Sequence, residues 1–157
     1  MNELHIRDAS RADLAGIVAL EQRVFDYNQL SRRSFQNFLK SRSADLIVAE
    51  AGGALIGYAL VCYRTGSRAA RLYSICADNA TGRRGVGREL LKHAEMRARA
   101  RHCATLSLEV KDDNAPAIQL YRAMQYQEFG RYEDYYEDGR GALRFSKTLE
   151  AAAAHAP

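Results

Sequence analysis

The chain has 157 residues, of which 47% are hydrophobic and 27% are charged, and its formal net charge is +4 at pH 7. These values predict one globular domain and exclude a disordered or fibrous chain. The mild positive charge favours a polyphosphate ligand or an acidic partner, but it falls short of a dedicated nucleic-acid binder. No apolar run reaches the roughly 20 residues that span a bilayer, and the first residues lack a signal-peptide core. We therefore expect a cytoplasmic protein that binds neither nucleic acid nor membrane.

We expect the domain to span positions 1–149, followed at 150–157 by a flexible, alanine-rich tail without an apolar pattern. The three cysteines, Cys62, Cys76 and Cys103, are odd in number and lie far apart in apolar surroundings. This usage is typical of reduced core thiols rather than of a disulfide framework or a zinc site. A thiol nucleophile is disfavoured because no histidine stands in a partner motif.

The first half of the chain predicts one strand, two helices and then three strands. A short alternating run at 4–7 precedes a helix that Ser10 or Asp13 caps. One face of this helix carries Leu14, Ile17, Val18, Glu21, Val24 and Phe25. A second, less regular helix is expected over about 31–41. Glycine-containing turns join the next β-rich runs and predict an antiparallel meander. These runs occupy 46–50, 54–63 and 71–77.

The second half predicts a helix, a strand, a second helix and a terminal pair of strands. A helical apolar period runs over about 88–101. The strand at 104–110 follows a strand–helix crossover, so we expect it to lie parallel to the 71–77 strand. Asn114 and Pro116 suit the start of a short helix. The last two strands are predicted at 126–131 and 142–148.

The strand at 104–110 places one carboxylate among small polar residues. Period two puts Leu106, Leu108 and Val110 on one face and Glu109 on the other, with Thr105 and Ser107. If the strand is interior, the face of Glu109 must be a cleft, because an ionised carboxylate is costly to bury unpaired. The alternative is that Glu109 lies near the end of the strand and meets solvent.

A basic glycine stretch separates the 71–77 strand from the following helix. It reads Gly82-Arg83-Arg84-Gly85-Val86-Gly87-Arg88. The amides that open a helix have no intrahelical acceptors, and glycines allow a ligand to approach the backbone. Together with the helix dipole and the guanidinium groups, they form a candidate pyrophosphate cradle. The alternative is a solvated junction between a loop and a helix.

Two familiar phosphate loops do not fit this stretch. A Walker loop needs Lys-Ser/Thr after its second glycine, whereas Gly87 is followed by Arg88 and Glu89. The dinucleotide fingerprint needs a third glycine where this chain has Leu90. The stretch instead resembles the acyl-CoA motif Gln/Arg-x-x-Gly-x-Gly/Ala of the GNAT superfamily of N-acetyltransferases. Its glycines correspond to Gly85 and Gly87, and Gly82 replaces the usual Gln or Arg.

A second block makes this resemblance more specific. Residues 108–121 read Leu-Glu-Val-Lys-Asp-Asp-Asn-Ala-Pro-Ala-Ile-Gln-Leu-Tyr. The block is similar to Leu-Glu-Val-Arg-x-x-Asn-x-x-Ala-x-x-Leu-Tyr of the bacterial ribosomal-protein alanine N-acetyltransferase group, with Lys111 in place of Arg. The Asp-Tyr-Tyr at 134–136 is similar to the Asn-Tyr-Tyr of that group. The predicted element order also resembles the GNAT fold, over roughly positions 4 to 149.

The resemblance implies a fold and a set of cofactor contacts. The fold is of the α/β (α+β) class, a mixed, mostly antiparallel central sheet flanked by helices, with a splayed parallel strand pair that binds acyl-CoA. The main chain around Ile75, Cys76 and Ala77 is implied to pair with the pantetheine arm, which Asn114 also contacts. The pyrophosphate is implied to bind Arg83, Arg84, Gly85, Val86, Gly87 and Arg88. No metal is required.

The resemblance also implies Glu109 as the general base and Tyr121 as the general acid, and elementary chemistry suits both roles. An α-amine has a pKa of about 7.7–8.0 and a lysine amine about 10.4, so a proton must leave before attack. The carboxylate of Glu109 is suited to accept this proton. The CoA thiolate can take a proton from a phenol of pKa near 10, such as Tyr121. The structural alternatives are a half-buried aromatic side chain for Tyr121 and a helix cap for Asn114.

The sequence leaves several alternatives for the acceptor amine and for the activity. A protein or peptide N-terminal amine is the first, and a small amine such as a polyamine, amino acid or antibiotic is the second. The chain has no tryptophan and reads Asn-Gln-Leu-Ser-Arg-Arg at 28–33, where the ribosomal group has Pro-Trp-Ser. A non-catalytic acyl-CoA module is a third reading. We expect the acidic aromatic segment at 132–138 to border the acceptor cleft, because aromatic faces attract cations. We expect the protein to be a monomer or a homodimer.

Overall fold

A computed structural model describes residues 3–25 and 29–149. The tail predicted at 150–157 and Asn28 lie outside the described residues. The strands are β1 (His5–Asp8), β2 (Ala44–Ala51), β3 (Ala54–Cys62), β4 (Ala69–Ala77), β5 (Thr105–Lys111), β6 (Gln127–Tyr132) and β7 (Ala142–Thr148). The α-helices are α1 (Leu14–Val24), α2 (Arg32–Lys40), α3 (Val86–Ala100) and α4 (Ala115–Ala123). The predicted order is confirmed, with differences only at the ends of elements.

All seven strands form one sheet in the order β1-β2-β3-β4-β5-β7-β6. Neighbouring strands are antiparallel except β4 and β5, which are parallel. The predicted meander and the predicted parallel pair are both confirmed. The crossover helix α3 explains the parallel pair, because a strand that returns through a helix enters the sheet in the same direction.

The parallel pair is paired over only half its length. Its register runs from Ala69 opposite Thr105 to Leu72 opposite Leu108. Beyond that point β4 remains paired to β3, and β5 to β7. The two strands therefore diverge. Next to this point Tyr73 has no partner in β3, because the register of the β3–β4 ladder shifts between Leu72 and Ser74. Such a bulge bends the strand.

Hydrophobic residues of both sheet faces form two cores. On one face α3 packs with Leu90, Leu91 and Ala94 against alternate residues of the central strands. On the other face α1 and α2 pack with Ile17, Leu20 and Phe35 around Tyr58. Burial of both faces requires an apolar interior strand, which β3 is. Glu109 lies on the face of α1 and α2, opposite Leu106 and Leu108.

One glycine fixes how closely α3 approaches the sheet. A Cβ atom at Gly57 would lie 2.7 Å from the carbonyl oxygen of Cys76 and 2.9 Å from Cδ1 of Leu90. No side chain fits there without displacing α3, which begins directly at the glycine stretch. In the described ranges 3–25 and 29–149, no helix is long and apolar enough to cross a membrane.

Candidate active site

A cleft of about 300 Å³ opens where β4 and β5 diverge. The two strands form its floor, the start of α4 forms one wall, and α1 with the β6–β7 connection forms the outer end. Its lining includes Glu21, Phe25, Leu30, Arg71, Tyr73, Ser74, Ile75, Glu109, Asn114, Tyr121, Tyr135 and Tyr136. The structure thus brings together four of the predicted site residues, Ile75, Glu109, Asn114 and Tyr121, from three elements.

Glu109 lies at the point where the strands separate, and two arginines approach its carboxylate. Its Oε1 accepts a hydrogen bond from Nε of Arg71 at 2.8 Å, and its Oε2 lies 3.8 Å from Nε of Arg144. The side chain is 8% exposed, so the alternative that Glu109 merely meets solvent is wrong. Burial lowers the pKa of Arg71, but the adjacent Glu109 carboxylate outweighs burial, and the pKa is raised overall. The arginines stabilise a carboxylate that the cleft removes from water.

Tyr121 and Asn114 place α4 at the wall of the cleft. Tyr121 is buried and its ring packs against the rings of Tyr126 and Phe145, at centroid distances of 6.0 and 6.2 Å. The side chain of Asn114 accepts a hydrogen bond from the amide of Ala117 at 3.3 Å and caps the helix. The cap alternative for Asn114 is therefore confirmed, and its contact with the cofactor arm stays a prediction.

The exposed edge of β4 offers main-chain groups to the cleft. The amide of Asp78 donates to the carbonyl of Ile56 in β3 at 2.9 Å. Because main-chain groups alternate in direction along a strand, Ile75 and Ala77 then face the gap between β4 and β5. Cys76 instead directs its main chain towards β3, and its side chain is buried. Burial raises the pKa of Cys76 to about 12, which makes it a poor nucleophile.

The glycine stretch opens α3 beside this edge. Gly85 caps the helix with φ of +83°, a left-handed conformation that favours glycine. A Cβ atom there would meet no atom within 4 Å, so the space over the loop is open. A groove of about 400 Å³ beside it is lined by three arginines and by acidic, apolar and other residues: Arg83, Arg84, Arg88, Glu3, Leu4, Ile6, Gly85, Glu89 and His93. Guanidinium groups next to a helix N-terminus fit a pyrophosphate, whereas the buried side chain of Val86 leaves only its main chain available.

The outer end of the cleft is aromatic. Tyr135 and Tyr136 line it, and Tyr132 stacks on Tyr135 at a centroid distance of 5.3 Å. Nη2 of Arg71 donates to the hydroxyl of Tyr135 at 3.1 Å, which couples this wall to Glu109. Glu133 belongs to the same segment but turns to the exposed Arg131, at 2.6 Å from its Nε. Tyr135 and Tyr136 of the predicted segment border the cleft, while the carboxylates in the cleft wall, Glu21 and Glu109, come from other elements.

One carboxylate in the cleft wall, Glu21, has no role in the sequence-based prediction. It is 2% exposed, and its Oε1 and Oε2 accept hydrogen bonds from the hydroxyl of Tyr58 at 2.5 Å and from the amide of Leu30 at 2.7 Å. Burial raises the pKa of Glu21, although both hydrogen bonds oppose the shift. The sequence feature that could have identified Glu21 is its position on the apolar face of α1, because a buried glutamate needs hydrogen-bonding or charged partners.

The geometry suits acyl transfer between two ligands that enter from opposite ends. A thioester arm laid along Ile75 and Ala77 can hydrogen-bond to the main chain of β4, with its phosphates at the start of α3. An amine entering past Tyr135 reaches the same cleft. Glu109 and Tyr121, a carboxylate and a phenol, both line this cleft.

Comparisons with known proteins agree with this geometry. Residues 14–126 match the model of the Acetyltransferase (GNAT) family. The N-alpha-acetyltransferase RimI of Mycobacterium tuberculosis is 32% identical over 130 residues, which cover 81% of this chain and 80% of that protein. The streptothricin acetyltransferase of Streptomyces lavendulae is 33% identical over 108 residues, which cover 66% of this chain and 57% of that protein.

A solved structure extends the similarity to the whole fold. The crystal structure of the ribosomal-protein-S18-alanine N-acetyltransferase from Escherichia coli superimposes with a TM-score of 0.85 and 26% identity, over 99% of each chain. The family match covers well over half of the sequence, and it includes the glycine stretch, Glu109 and Tyr121. The chain therefore belongs to the acetyltransferase (GNAT) family.

Proposed function

We propose that this protein is an acetyl-CoA-dependent N-acetyltransferase that acts on the α-amine of a protein N-terminus. The observation that carries the proposal is the cleft between the diverging β4 and β5, which gathers Glu109, Tyr121 and the edge of β4. Positions 1–149 are proposed to form one catalytic domain, because the two cores share a single sheet. An acceptor on a ribosomal protein would place the enzyme in the cytoplasm.

In the proposed reaction the amine attacks the thioester carbonyl directly. Acetyl-CoA is bound by Ile75 and Ala77, with Asn114 at its arm and residues 83–88 at its pyrophosphate. Glu109 accepts a proton from the nitrogen, and Tyr121 returns a proton to the departing thiolate. Main-chain amides at the edge of β4 stabilise the charge on the carbonyl oxygen.

The walls of the outer cleft support a peptide acceptor. Aromatic side chains and the chain around Leu30 line an open-ended passage in which residues after the N-terminus can lie. The relatives named as N-alpha-acetyltransferases also support it. A small amine is the second candidate, favoured by the similarity to streptothricin acetyltransferase.

A direct assay separates the two acceptors. The protein is incubated with acetyl-CoA and either peptides that vary in the first residue or a panel of antibiotics, polyamines and amino acids. Release of the free CoA thiol is followed. We expect turnover with peptides and an acetylated α-amine by mass spectrometry, and an N-terminally blocked peptide should be inert. Turnover with small amines alone would support the second candidate, and absence of thiol release with every amine would overturn both.

A further inference from the structure

The buried side chains of Glu21 and Tyr58 and the half-buried side chain of Ser74 form a hydrogen-bonded chain in the cleft wall. The hydroxyl of Tyr58 donates to Oε1 of Glu21 at 2.5 Å. The same hydroxyl lies 2.8 Å from Oγ of Ser74, a residue of β4 that lines the cleft. The chain thus runs along the cleft wall from Ser74 to Glu21, which lines the cleft although it is only 2% exposed.

The direction of this chain follows from its donors. Tyr58 has one hydroxyl proton and gives it to Glu21, so Ser74 must donate its own proton to the oxygen of Tyr58. The remaining lone pairs of Ser74 Oγ are then available as acceptors. An ammonium group carries only donors and is complementary to such an acceptor.

The nitrogen of the acceptor loses two protons at different stages of the reaction. An ammonium that becomes a secondary amide loses one proton before attack and a second from the tetrahedral intermediate. Only one proton returns, to the CoA sulfur. The sulfur accepts its proton only when the carbon–sulfur bond breaks, so the proton that leaves before attack needs a different acceptor. If Glu109 takes the later proton, this first acceptor must lie elsewhere in the cleft.

We propose that Ser74, Tyr58 and Glu21 form a proton exit for the ammonium form of the acceptor, an inference that rests on the proposed N-acetyltransferase function. The ammonium gives a proton to Ser74 Oγ, Ser74 gives its own to Tyr58, and Tyr58 gives its own to Glu21. The amine is left neutral, and Glu21 is left as a carboxylic acid. Glu109 then takes the second proton from the tetrahedral intermediate and returns it to Tyr121, which has given its own proton to the CoA sulfur. Water in the cleft takes the first proton from Glu21 after the product leaves, so one proton is released per turnover.

The surroundings of Glu21 suit a temporary proton store. Within residues 3–25 and 29–149 no lysine or arginine lies within ion-pair distance of its carboxylate, whereas Glu109 has Arg71. The titratable groups packed around it are Tyr58 of β3 and Cys76 of β4, and burial raises the pKa of both. Burial raises the pKa of Glu21 as well, which brings uptake of a proton closer to neutral pH.

The pH dependence of Ser74→Ala distinguishes this role from a structural one. Below the amine pKa of about 8, the acceptor arrives protonated, and we expect kcat/KM for the best peptide to fall at least tenfold. Above about pH 9.5 the amine arrives neutral, and the deficit should shrink to within about twofold. Ser74→Thr keeps the hydroxyl and should match the wild type. A deficit that is equal at every pH, or absent at every pH, would overturn the proposal.

Two further measurements complete the test. Tyr58→Phe should show the same pH-dependent deficit, and Ser74→Ala/Tyr58→Phe should be no slower than either single variant, because both break one chain. Multiplicative losses would contradict the proposal. Infrared spectra should be recorded between about pH 5 and 9, a range in which buried glutamates can titrate. We expect a protonated carboxyl band that is absent from Glu21→Gln and shifted in Tyr58→Phe. The infrared measurement needs no turnover. Absence of the carboxyl band overturns the proton exit, whereas absence of thiol release overturns only the enzyme function.

Discussion

At the scale of single residues, the structure shows carboxylates in three different environments. Glu109 lies beside Arg71 in the cleft, Glu21 is buried with neutral donors, and Asp13 is held by Arg7 at the start of α1. The residue type alone does not reveal these differences, because the pKa and reactivity of a carboxyl group depend on its partners and its burial. Two predictions follow from these environments.

Replacement of the two proposed catalytic groups should lower turnover without preventing folding. Glu109→Gln removes a proton acceptor and should reduce kcat by roughly 10²–10⁴-fold. Tyr121→Phe loses only the hydroxyl, and kcat should fall by a similar factor while CoA still binds. Thiol release, with calorimetry of CoA binding and circular dichroism as controls, measures this. Either variant turning over within about twofold of the wild type, when folded and CoA-competent, would exclude that residue from the reaction.

Asp13 should stabilise the fold in a pH-dependent manner. Its carboxylate accepts hydrogen bonds from Arg7 at 2.8 Å and from the amide of Ser10 at 2.7 Å. The hydrogen bond from Arg7, against opposing burial, lowers the pKa of Asp13 to about 2. Because the folded pKa lies below the unfolded one, the stabilisation is complete above about pH 4 and is lost as the pH falls towards 2.

Asp13→Asn should therefore reduce the free energy of unfolding by about 1–2 kcal/mol at pH 7, after allowance for solvent screening of the partly exposed Arg7. Urea unfolding at several pH values measures the difference, which should shrink in acid. A difference that stays constant down to about pH 2.5 would show that the charge of Asp13 is not its source.

At the scale of elements, the start of α3 combines a structural and a binding requirement. Gly57 lets the helix approach the sheet, and Gly85 ends the preceding loop with a positive φ. Gly87 differs from both, because a Cβ atom there would meet only Cδ2 of Leu120 at 3.5 Å, an ordinary contact. Substitution at Gly87 therefore tests ligand approach with little strain, whereas substitution at Gly85 disturbs the backbone as well.

Gly87→Ala should weaken CoA binding while the fold is retained. The added methyl group occupies the space next to the first amides of the helix, where the pyrophosphate is proposed to bind. We expect at least a tenfold higher Kd for CoA by calorimetry, with a Tm equal to or above that of the wild type, because alanine is the better helix former. Unchanged affinity would place the pyrophosphate elsewhere. Gly130→Ala is a matched control outside the cradle.

At the scale of the whole molecule, a buried ionic cluster connects α3 to β7, a strand near one edge of the sheet. The carboxylate of Glu95, a residue that is 3% exposed, lies 3.0 Å from Nζ of Lys147 in β7 and accepts a hydrogen bond from the hydroxyl of Tyr126 at 2.8 Å. Lys147 and Tyr126, which are 52 and 31 positions from Glu95 in the sequence, thus meet under the same helix that opens the proposed cofactor site. The cluster fixes the helix against β7, which borders β5 in the sheet.

Lys147→Met should destabilise the protein because it leaves the buried carboxylate with weaker compensation. We expect a loss of about 2–4 kcal/mol in the free energy of unfolding, measured by urea denaturation. Glu95→Gln/Lys147→Met should recover part of the loss, since the buried carboxylate, for which, within the described residues, only Arg99 at 3.5 Å would remain as an ionic partner, is then neutral. The control is Lys92→Met, which breaks the exposed pair with Glu89 and should change stability by at most about 0.5 kcal/mol. Equal effects of the two lysine substitutions would contradict the role of burial.

Local patterns were sufficient for the elements and for the family. Hydrophobic period, capping residues and glycine turns depend on neighbours within a few positions, so they predict each strand and helix to within a few residues. The alternation around Glu109 also predicted a carboxylate on the polar face of its strand, which faces a cleft if the strand is interior, and β5 indeed lies between β4 and β7. The glycine stretch and the block at 108–121 indicated the GNAT family from the order of residue types alone.

The sequence by itself therefore determined the element order and the parallel strand pair, and its resemblance to the GNAT superfamily implied the candidate pair Glu109 and Tyr121. Only the tertiary structure decided which side chains share the cleft, because those contacts join positions far apart in the chain. Arg71 reaches Glu109 across 38 positions, and Tyr58 reaches Glu21 across 37. Whether a buried carboxylate faces an arginine or a phenol depends on how the strands and helices pack, and no local pattern encodes that distance. This packing gives the two glutamates of one cleft their different chemistry.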